Sequence, residues 1–262
     1  MRLIRPRLLL HLRVCLLVLV TGFLVLQGCA PGDSPSDSPA RLAVDRAIEA
    51  HGGERFEQVH IEFRFRDHDF RVVRDRGRFE YERTGTDDEG RTVRERMDND
   101  GTRAWVDDVP MELDDDTRAS VETAVNSVVY FAFLPFRLDD PAVLLEDLGT
   151  TELEGRTQRK VEVGFRQEGG GRDWEDRFVY WFDEETGMLD YLAYRYHTGE
   201  GGTRFRKAVN RREAGGLVIQ DYENYTADPD ITDVAEYDRW FSEGRLRLVS
   251  DIRLEDLHVT DP

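Results

Sequence analysis

"NSVVYFAFLPFRLDDP", residues 126–141, is the stretch whose reading decides the fold. The chain is 34% charged, yet residues 128–136 carry no charge and three of those nine are Phe. Just before them, "DDDTRASVETA" reads as the start of a helix. Asp115, Asp116 or Thr117 can cap it, acids near its start suit the dipole, and Pro135 ends it. Val121, Val125, Val128 and Ala132 make its early stripe. Beyond Val128 it turns apolar all round, which a surface helix does not do. Leaving Val128, Val129, Phe131, Phe133, Leu134 and Phe136 in water would forgo about 1.5–3 kcal/mol each. Their sum is comparable with the roughly 5–15 kcal/mol net stability of a domain. Nine uncharged residues fall far short of the roughly 20 that span a bilayer. The segment must be roofed by the rest of the chain.

The roof is β-structure. In "VHIEFRF", Val59, Ile61, Phe63 and Phe65 alternate with His60, Glu62, Arg64 and Arg66. The same period of two returns in Phe79/Tyr81, Val161/Val163/Phe165 and Phe205/Lys207/Val209. Further segments lie at 93–97, 102–106, 178–182, 189–196, 217–225 and 246–257. About ten short strands, most with one charged face, predict an antiparallel sheet that is wet on one side. Arg64 and Arg66 are placed to face Glu80 and Glu82 across that side. "YWFDEETGMLDYLAYRY" is a hairpin turning on residues 183–186 with Gly187 at positive φ. Aromatic residues on both of its faces (Tyr180 and Phe182 against Trp181) predict a central position packed on both sides. The fold class is mainly β (α+β): a curved antiparallel half-barrel with helices on its concave face.

A helix precedes the strands in "SPARLAVDRAIEAHGGERF". Ser38 caps it, Pro39 suits its first turn, and Leu42, Ala43, Ala47, Ile48 and Ala50 share its apolar side. Gly52 and Gly53 end it. His51, the most tempting catalytic histidine, falls in its last turn, where a partly positive imidazole suits the dipole and a structural role.

Residues 1–28 read as a secretory signal: Arg2, Arg5, Arg7 and Arg13, then an apolar run over 14–26 too short to span. The step Leu26-Gln27-Gly28-Cys29 resembles the lipobox of bacterial lipoproteins, which implies that Cys29 is acylated and begins the mature chain. Ala30 after it favours the outer membrane by the same resemblance. Residues 29–40, "CAPGDSPSDSPA", are then a lipidated cysteine and an extended tether without a large apolar residue. Residues 41–262 form a single domain. Cys15 leaves with the signal and Cys29 is used by lipid, so disulfides, thiolate metal sites and cysteine nucleophiles are excluded. The formal charge of −18 falls to −22 without the leader arginines. That field repels nucleic acid and anionic headgroups and favours cations or basic partners. Arginine supplies all but two of the basic residues, Lys160 and Lys207; salt adaptation and a GC-rich genome explain this equally well.

The leader, "AIEAHGGERF", the alternating strands, "YWFDEETGMLDYLAY" and "YFAFLPFRLDDP" together resemble an uncharacterised family of bacterial outer-membrane lipoproteins related in fold to the lipoprotein-sorting carriers LolA and LolB. The resemblance covers most of residues 41–225. It brings no catalytic residues, and it implies a half-barrel and helical lid that enclose acyl chains.

Chemistry in the remaining motifs is thin. His68 sits between Asp67 and Asp69, but strand alternation sends those neighbours to the other face, and no histidine spacing joins His60, His197 and His258. Lys160 and Lys207 lie among charges, unsuited to Schiff-base work. Neither a hydrolase elbow nor a phosphate-binding loop is present, so no catalytic residue, metal ligand or cofactor is assigned. The apolar segment is either core alone or core plus a ligand site lined by Phe63, Phe65, Val128, Phe131, Phe133, Phe136 and Trp181. The second alternative gives a lipid-anchored outer-membrane protein facing the periplasm, with a lipid-like ligand and a role in envelope maintenance. Its rivals are a hydrolase of envelope polymers using paired carboxylates and a scaffold that binds another envelope protein. Metabolic labelling with a fatty acid should tag the wild-type chain and leave Cys29→Ser untagged; a labelled Cys29→Ser chain would remove the anchor.

Overall fold

The computed structural model describes residues 38–168, 174, 176–197, 201–229 and 231–262. The leader, Cys29 and most of the tether lie outside the described residues. The chain runs α1 (Pro39–Ala50), β1 (Gln58–Phe65), β2 (His68–Asp75), β3 (Arg78–Thr86), β4 (Thr92–Asp98), β5 (Gly101–Val106), β6 (Val109–Met111) and α2 (Asp115–Ala132). It continues through β7 (Val143–Leu153), β8 (Arg156–Phe165), β9 (Arg177–Asp183), β10 (Leu189–Tyr196), β11 (Gly202–Ala214) and β12 (Leu217–Thr226) to α3 (Tyr237–Ser242), β13 (Arg247–Ile252) and β14 (Glu255–Thr260).

The expected antiparallel sheet with helices against it is present as two seven-stranded sheets, β14-β1-β2-β3-β4-β5-β6 and β13-β12-β11-β10-β9-β8-β7. The second is a meander of sequence neighbours throughout, and the first is the meander β1–β6 with the last strand, β14, added beside β1. The break falls where α2 intervenes between β6 and β7. The stretch expected as one strand at 246–257 is two: β13 pairs with β12 in the second sheet and β14 with β1 in the first. The chain changes sheets at Leu254, which is buried. Its N–H donates to Asp221 Oδ1 at 3.0 Å and its carbonyl accepts from Arg212 Nη2 at 2.7 Å.

Alternation holds along β1, with Val59, Ile61 and Phe63 buried and Glu62 and Arg64 exposed. The charge pairs on the outer face differ from expectation. Arg64 bonds Asp69 at 2.9 Å across the tight β1–β2 turn, and Arg66 sits in that turn at φ 57°. Glu80 is instead taken by Arg71 and Arg96. The register decides this, since β1 pairs with β2 and not with β3.

Asp114, one residue earlier than the expected caps, accepts the Thr117 N–H at 2.8 Å and starts α2. Ala119, Val121, Val125 and Val129 are its buried stripe. Val121, Val125 and Val129 meet Val59, Ile61, Phe63, Phe70, Val72 and Tyr81 of the first sheet. Just past the helix, Phe133 packs on Phe56 and Phe63 at 5.5 and 5.7 Å between ring centroids, and Phe136 stacks on Phe56 at 4.4 Å. Tyr130, Phe131, Leu134 and Leu138 point the other way, onto Val161, Phe178, Tyr180, Leu192 and Tyr194 of the second sheet. This division is why the helix end is apolar all round.

On α1 the buried face is Ala40, Val44 and Ala47, while Leu42 is 56% exposed, against expectation; the spacing of four and three residues, not overall apolarity, selects the stripe. Arg46 pins α1 to the β9–β10 turn by donating to the Glu184 and Glu185 carbonyls at 2.7 and 2.6 Å. That turn is set by Asp183, whose Oδ1 accepts from both the Thr186 N–H and hydroxyl at 2.6 Å. At the far end of α1, Gly52 has φ 126°, and a Cβ there would lie 2.6 Å from the Gly216 carbonyl. The outer face of the second sheet is closed by the C-terminal segment, where Val234, Tyr237 and Phe241 cover Val179, Trp181, Tyr191, Ala193 and Phe205.

Phe133 is 1% exposed. Chemical denaturation should show Phe133→Ala losing about 3–5 kcal/mol, while Leu42→Ala should stay within about 0.5 kcal/mol of wild type.

Candidate functional site

The seven residues expected to line one apolar site separate into three environments. Phe63, Phe133 and Phe136 belong to the first-sheet core, with Phe65 and Val128 at its margin. Phe131 sits at the edge of the second-sheet core. Trp181 lies on the opposite face of that sheet, under α3, and shares no space with the others. The correction follows from strand alternation: Trp181 lies between Tyr180 and Phe182, and those two hold the inner face. Phe63 and Phe133 are filled in by stacked rings. Among the seven, Phe136 alone reaches the wall of a described cleft, a polar-rimmed hollow of about 350 Å³ with Phe79, Arg74, Glu57 and Asp139. A second cleft of about 230 Å³ lies beside α1, walled by Leu42, Ala43, Phe182 and Arg159.

The unusual surface is where Phe131 meets the second sheet. Phe131, Tyr130, Phe165 and Tyr196 are half-buried and gather around Phe178 and Tyr194, which are 7% and 9% exposed. Phe131 lies 5.0 Å from Tyr194 and 6.3 Å from Phe178, and Phe165 is edge-on to Phe178 at 5.8 Å. Polar groups are threaded through this set. Tyr130 and Tyr180 share a hydroxyl–hydroxyl bond of 3.0 Å. The Arg206 guanidinium stacks 4.2 Å from the Phe131 ring centroid and donates to the Tyr194 hydroxyl at 2.8 Å. Arg204, two residues earlier on the same face, stacks on Tyr196 at 5.4 Å. Burial pushes the Tyr130 phenol up to about 12 and raises Tyr180 and Tyr222, so all three stay protonated hydrogen-bond donors at neutral pH. Half-exposed rings around a buried cation and neutral hydroxyls suit an apolar or amphipathic molecule. Phe131 was within reach of sequence reasoning; Arg204, Arg206, Tyr194 and Tyr196 were not, because in sequence they look like any charged or aromatic strand positions.

Other groups weighed for chemistry are committed elsewhere. Lys160 holds Asp238 at 3.2 Å, close over Trp181. Asp183 is paired with Arg156 at 2.8 Å, and Asp190 with Arg211 at 2.6 Å. Among the described residues no cluster of three or more His, Cys, Asp or Glu is arranged to hold a metal. His51 is fully buried, and its Nδ1 donates to the Ala47 carbonyl at 2.8 Å. Burial depresses it to about 4, so the imidazole is neutral, correcting the expected partial charge at the helix end.

A family model described as a family of unknown function (DUF6503) matches residues 26–255. No curated protein matches in sequence. Among solved structures, the chain is similar to a DUF1329 family protein from Desulfovibrio piger, at 10% identity over 84% of this chain and 93% of that one, TM-score 0.47. It is similar to a LolA superfamily protein from Nitrosomonas europaea, at 10% identity over 85% and 91%, TM-score 0.44. It is also similar to an outer membrane lipoprotein-sorting protein domain from Vibrio parahaemolyticus, at 9% identity over 83% and 93%, TM-score 0.40. These neighbours are of the kind that the sequence resembles, and no residue role is taken from them.

His51 carries a pH signature. The unfolded chain takes up the histidine proton near 6.5 and the folded chain only near 4, so stability present above about 6.5 is lost as pH falls toward 4. The loss should reach about 3 kcal/mol. His51→Asn, whose amide can still donate to Ala47, should flatten that part of the stability–pH curve; an unchanged slope would show that His51 does not set it.

Proposed function

We propose that this chain, which belongs to the DUF6503 family of unknown function, is a lipoprotein held at the outer membrane by acyl chains on Cys29, facing the periplasm and binding an apolar or lipid-like molecule. The binding place is the aromatic end of the second sheet, reached by Phe131 from α2. The observation that carries the reading is that Tyr130, Phe131, Phe165 and Tyr196 remain half-buried as one group around Phe178 and Tyr194, while the two rings packed on Phe133, Phe56 and Phe63, are buried. An aromatic cluster left partly open, beside a core that closes elsewhere, is the usual sign of a contact surface. Of the seven lining residues expected from sequence, Phe131 is the one retained.

The role is binding, not catalysis. A hydrolase of envelope polymers needs two free carboxylates facing a substrate. Asp183, on the wall of the cleft beside α1, is held by Arg156, and the buried Asp190 by Arg211. The scaffold reading has one observation in its favour. Five of the six exposed large hydrophobics among the described residues, Val109, Met111, Leu144, Leu248 and Val249, sit on the edge strands β6, β7 and β13. Open strand edges with apolar side chains are where another chain adds a strand.

The test is uptake of the neutral fluorescent probe N-phenyl-1-naphthylamine by the full chain carrying Cys29→Ser. Wild-type side chains at the site should give saturable enhancement, and Phe131→Asp should weaken it about ten-fold or more with the circular dichroism spectrum unchanged. Absence of saturable uptake, or full uptake by a folded Phe131→Asp chain, would sink the reading.

A further inference from the structure

Arg206 is the one arginine in the buried class among the described residues, at 9% exposure. Its neighbours along β11 are neutralised: Lys207 by Glu154 at 2.6 Å, Arg211 by Asp190 at 2.6 Å and Arg212 by Asp221 at 3.1 Å. Among the described residues no carboxylate pairs with Arg206, nor with Arg204 beside it on the same face. That is unexpected in a chain with 54 acidic and 36 basic residues. A buried cation without an anion is expensive, and aromatic stacking offsets only part of the cost.

Two atoms mark where the anion belongs. Arg206 Nε is buried with no hydrogen-bond partner, and so is Oδ1 of Asn224. Arg206 and Asn224 are direct cross-strand partners, so their side chains lie on the same face of the sheet. The amide nitrogen of Asn224 donates to Ser250 Oγ at 3.1 Å. Turning that carboxamide over keeps the Ser250 bond, with the hydroxyl now donating, and puts an N–H where the orphan oxygen stood. That face then offers donors from a guanidinium and an amide, the groups from which carboxylate and phosphate oxygens accept. The aromatic rings of Phe131, Tyr194 and Tyr196 flank it on the apolar side.

We infer that Arg206, with Asn224 and Arg204, binds the anionic head, carboxylate or phosphate, of an acyl amphiphile whose chain lies along Phe131, Tyr194 and Tyr196. The inference rests on the apolar-ligand reading and adds the head group to it. The chain's own negative field slows such a ligand's approach but leaves its bound state, in contact with two unpaired cations, favourable.

The experiment compares palmitic acid, hexadecyl phosphate and hexadecanol as competitors of N-phenyl-1-naphthylamine on the full chain carrying Cys29→Ser, under mildly alkaline conditions where the acid is ionised. One or both anionic amphiphiles should compete about ten-fold or more better than the alcohol; which of them does so identifies the head. Arg206→Met should erase that preference and leave hexadecanol unchanged, whereas Arg206→Lys should keep part of it. Should Arg206→Met fail to fold, Arg204→Met is the second variant, and it should reduce the preference in the same direction. Equal competition by all three probes, or a preference that survives Arg206→Met, overturns the head-group site and leaves the apolar reading standing. No competition by any of them, together with no probe uptake, overturns both.

Discussion

The end of α2 holds the two sheets together by presenting different residues to each. Val129, Phe133 and Phe136 close the first-sheet core, while Tyr130, Phe131, Leu134 and Leu138 close the second. Without that wedge each meander would keep an uncovered apolar face, since no strand pairing joins β6 to β7. The sheets' own charge lattices cannot substitute. Pairs such as Arg71–Glu80 and Arg83–Glu95 are surface ion pairs, each worth about 0–1 kcal/mol. Helix α1 adds a second strap, fixed to the β9–β10 turn through Arg46 and to β12 through the Val218 N–H bond to the His51 carbonyl.

This arrangement explains why the two cores differ at their surfaces. The first is packed around stacked rings, Phe56 on Phe136 and Phe63 on Phe70, with Phe65 and Phe79 half-buried at its margin. The second has to accommodate the far side of a helix whose last turn is already committed, and its inner face carries Arg206, Tyr222 and Asn224 instead of a further apolar row. Polar residues on a buried sheet face need partners. Here the tyrosine hydroxyls and Ser250 satisfy most of them, leaving Arg206 Nε and Asn224 Oδ1, on paired residues of neighbouring strands, without partners.

Much of the architecture was legible in the residues because it rests on local periodicity. The period-two runs located β1, β3, β8 and β11, the turn at 183–187 located β9 and β10, Ser38 and the glycines bounded α1, and the charge-free segment forced the conclusion that α2 is covered. What stayed hidden depends on pairing between distant strands. Nothing local says that residues 247–252 and 255–260 join different sheets, or that β2 separates Arg64 from Glu80. The candidate site was legible only at Phe131. Assigning Trp181 to it failed because a strand aromatic on both faces does not say which face meets which helix. Arg206 escaped because, in an arginine-rich chain, its lack of an acidic partner is visible only in three dimensions.

The pairing of β14 with β1 ties the beginning of the domain to a strand that is made about two hundred residues later, a loop closure of high sequence separation. A chain made from its N-terminus cannot complete the first sheet until that late strand has been added. Until then β1 has only β2 beside it, and the edge that β14 will occupy stays open to other extended chains. The topology therefore delays closure of the first sheet until the chain is nearly complete, and the interval of greatest aggregation risk lasts as long.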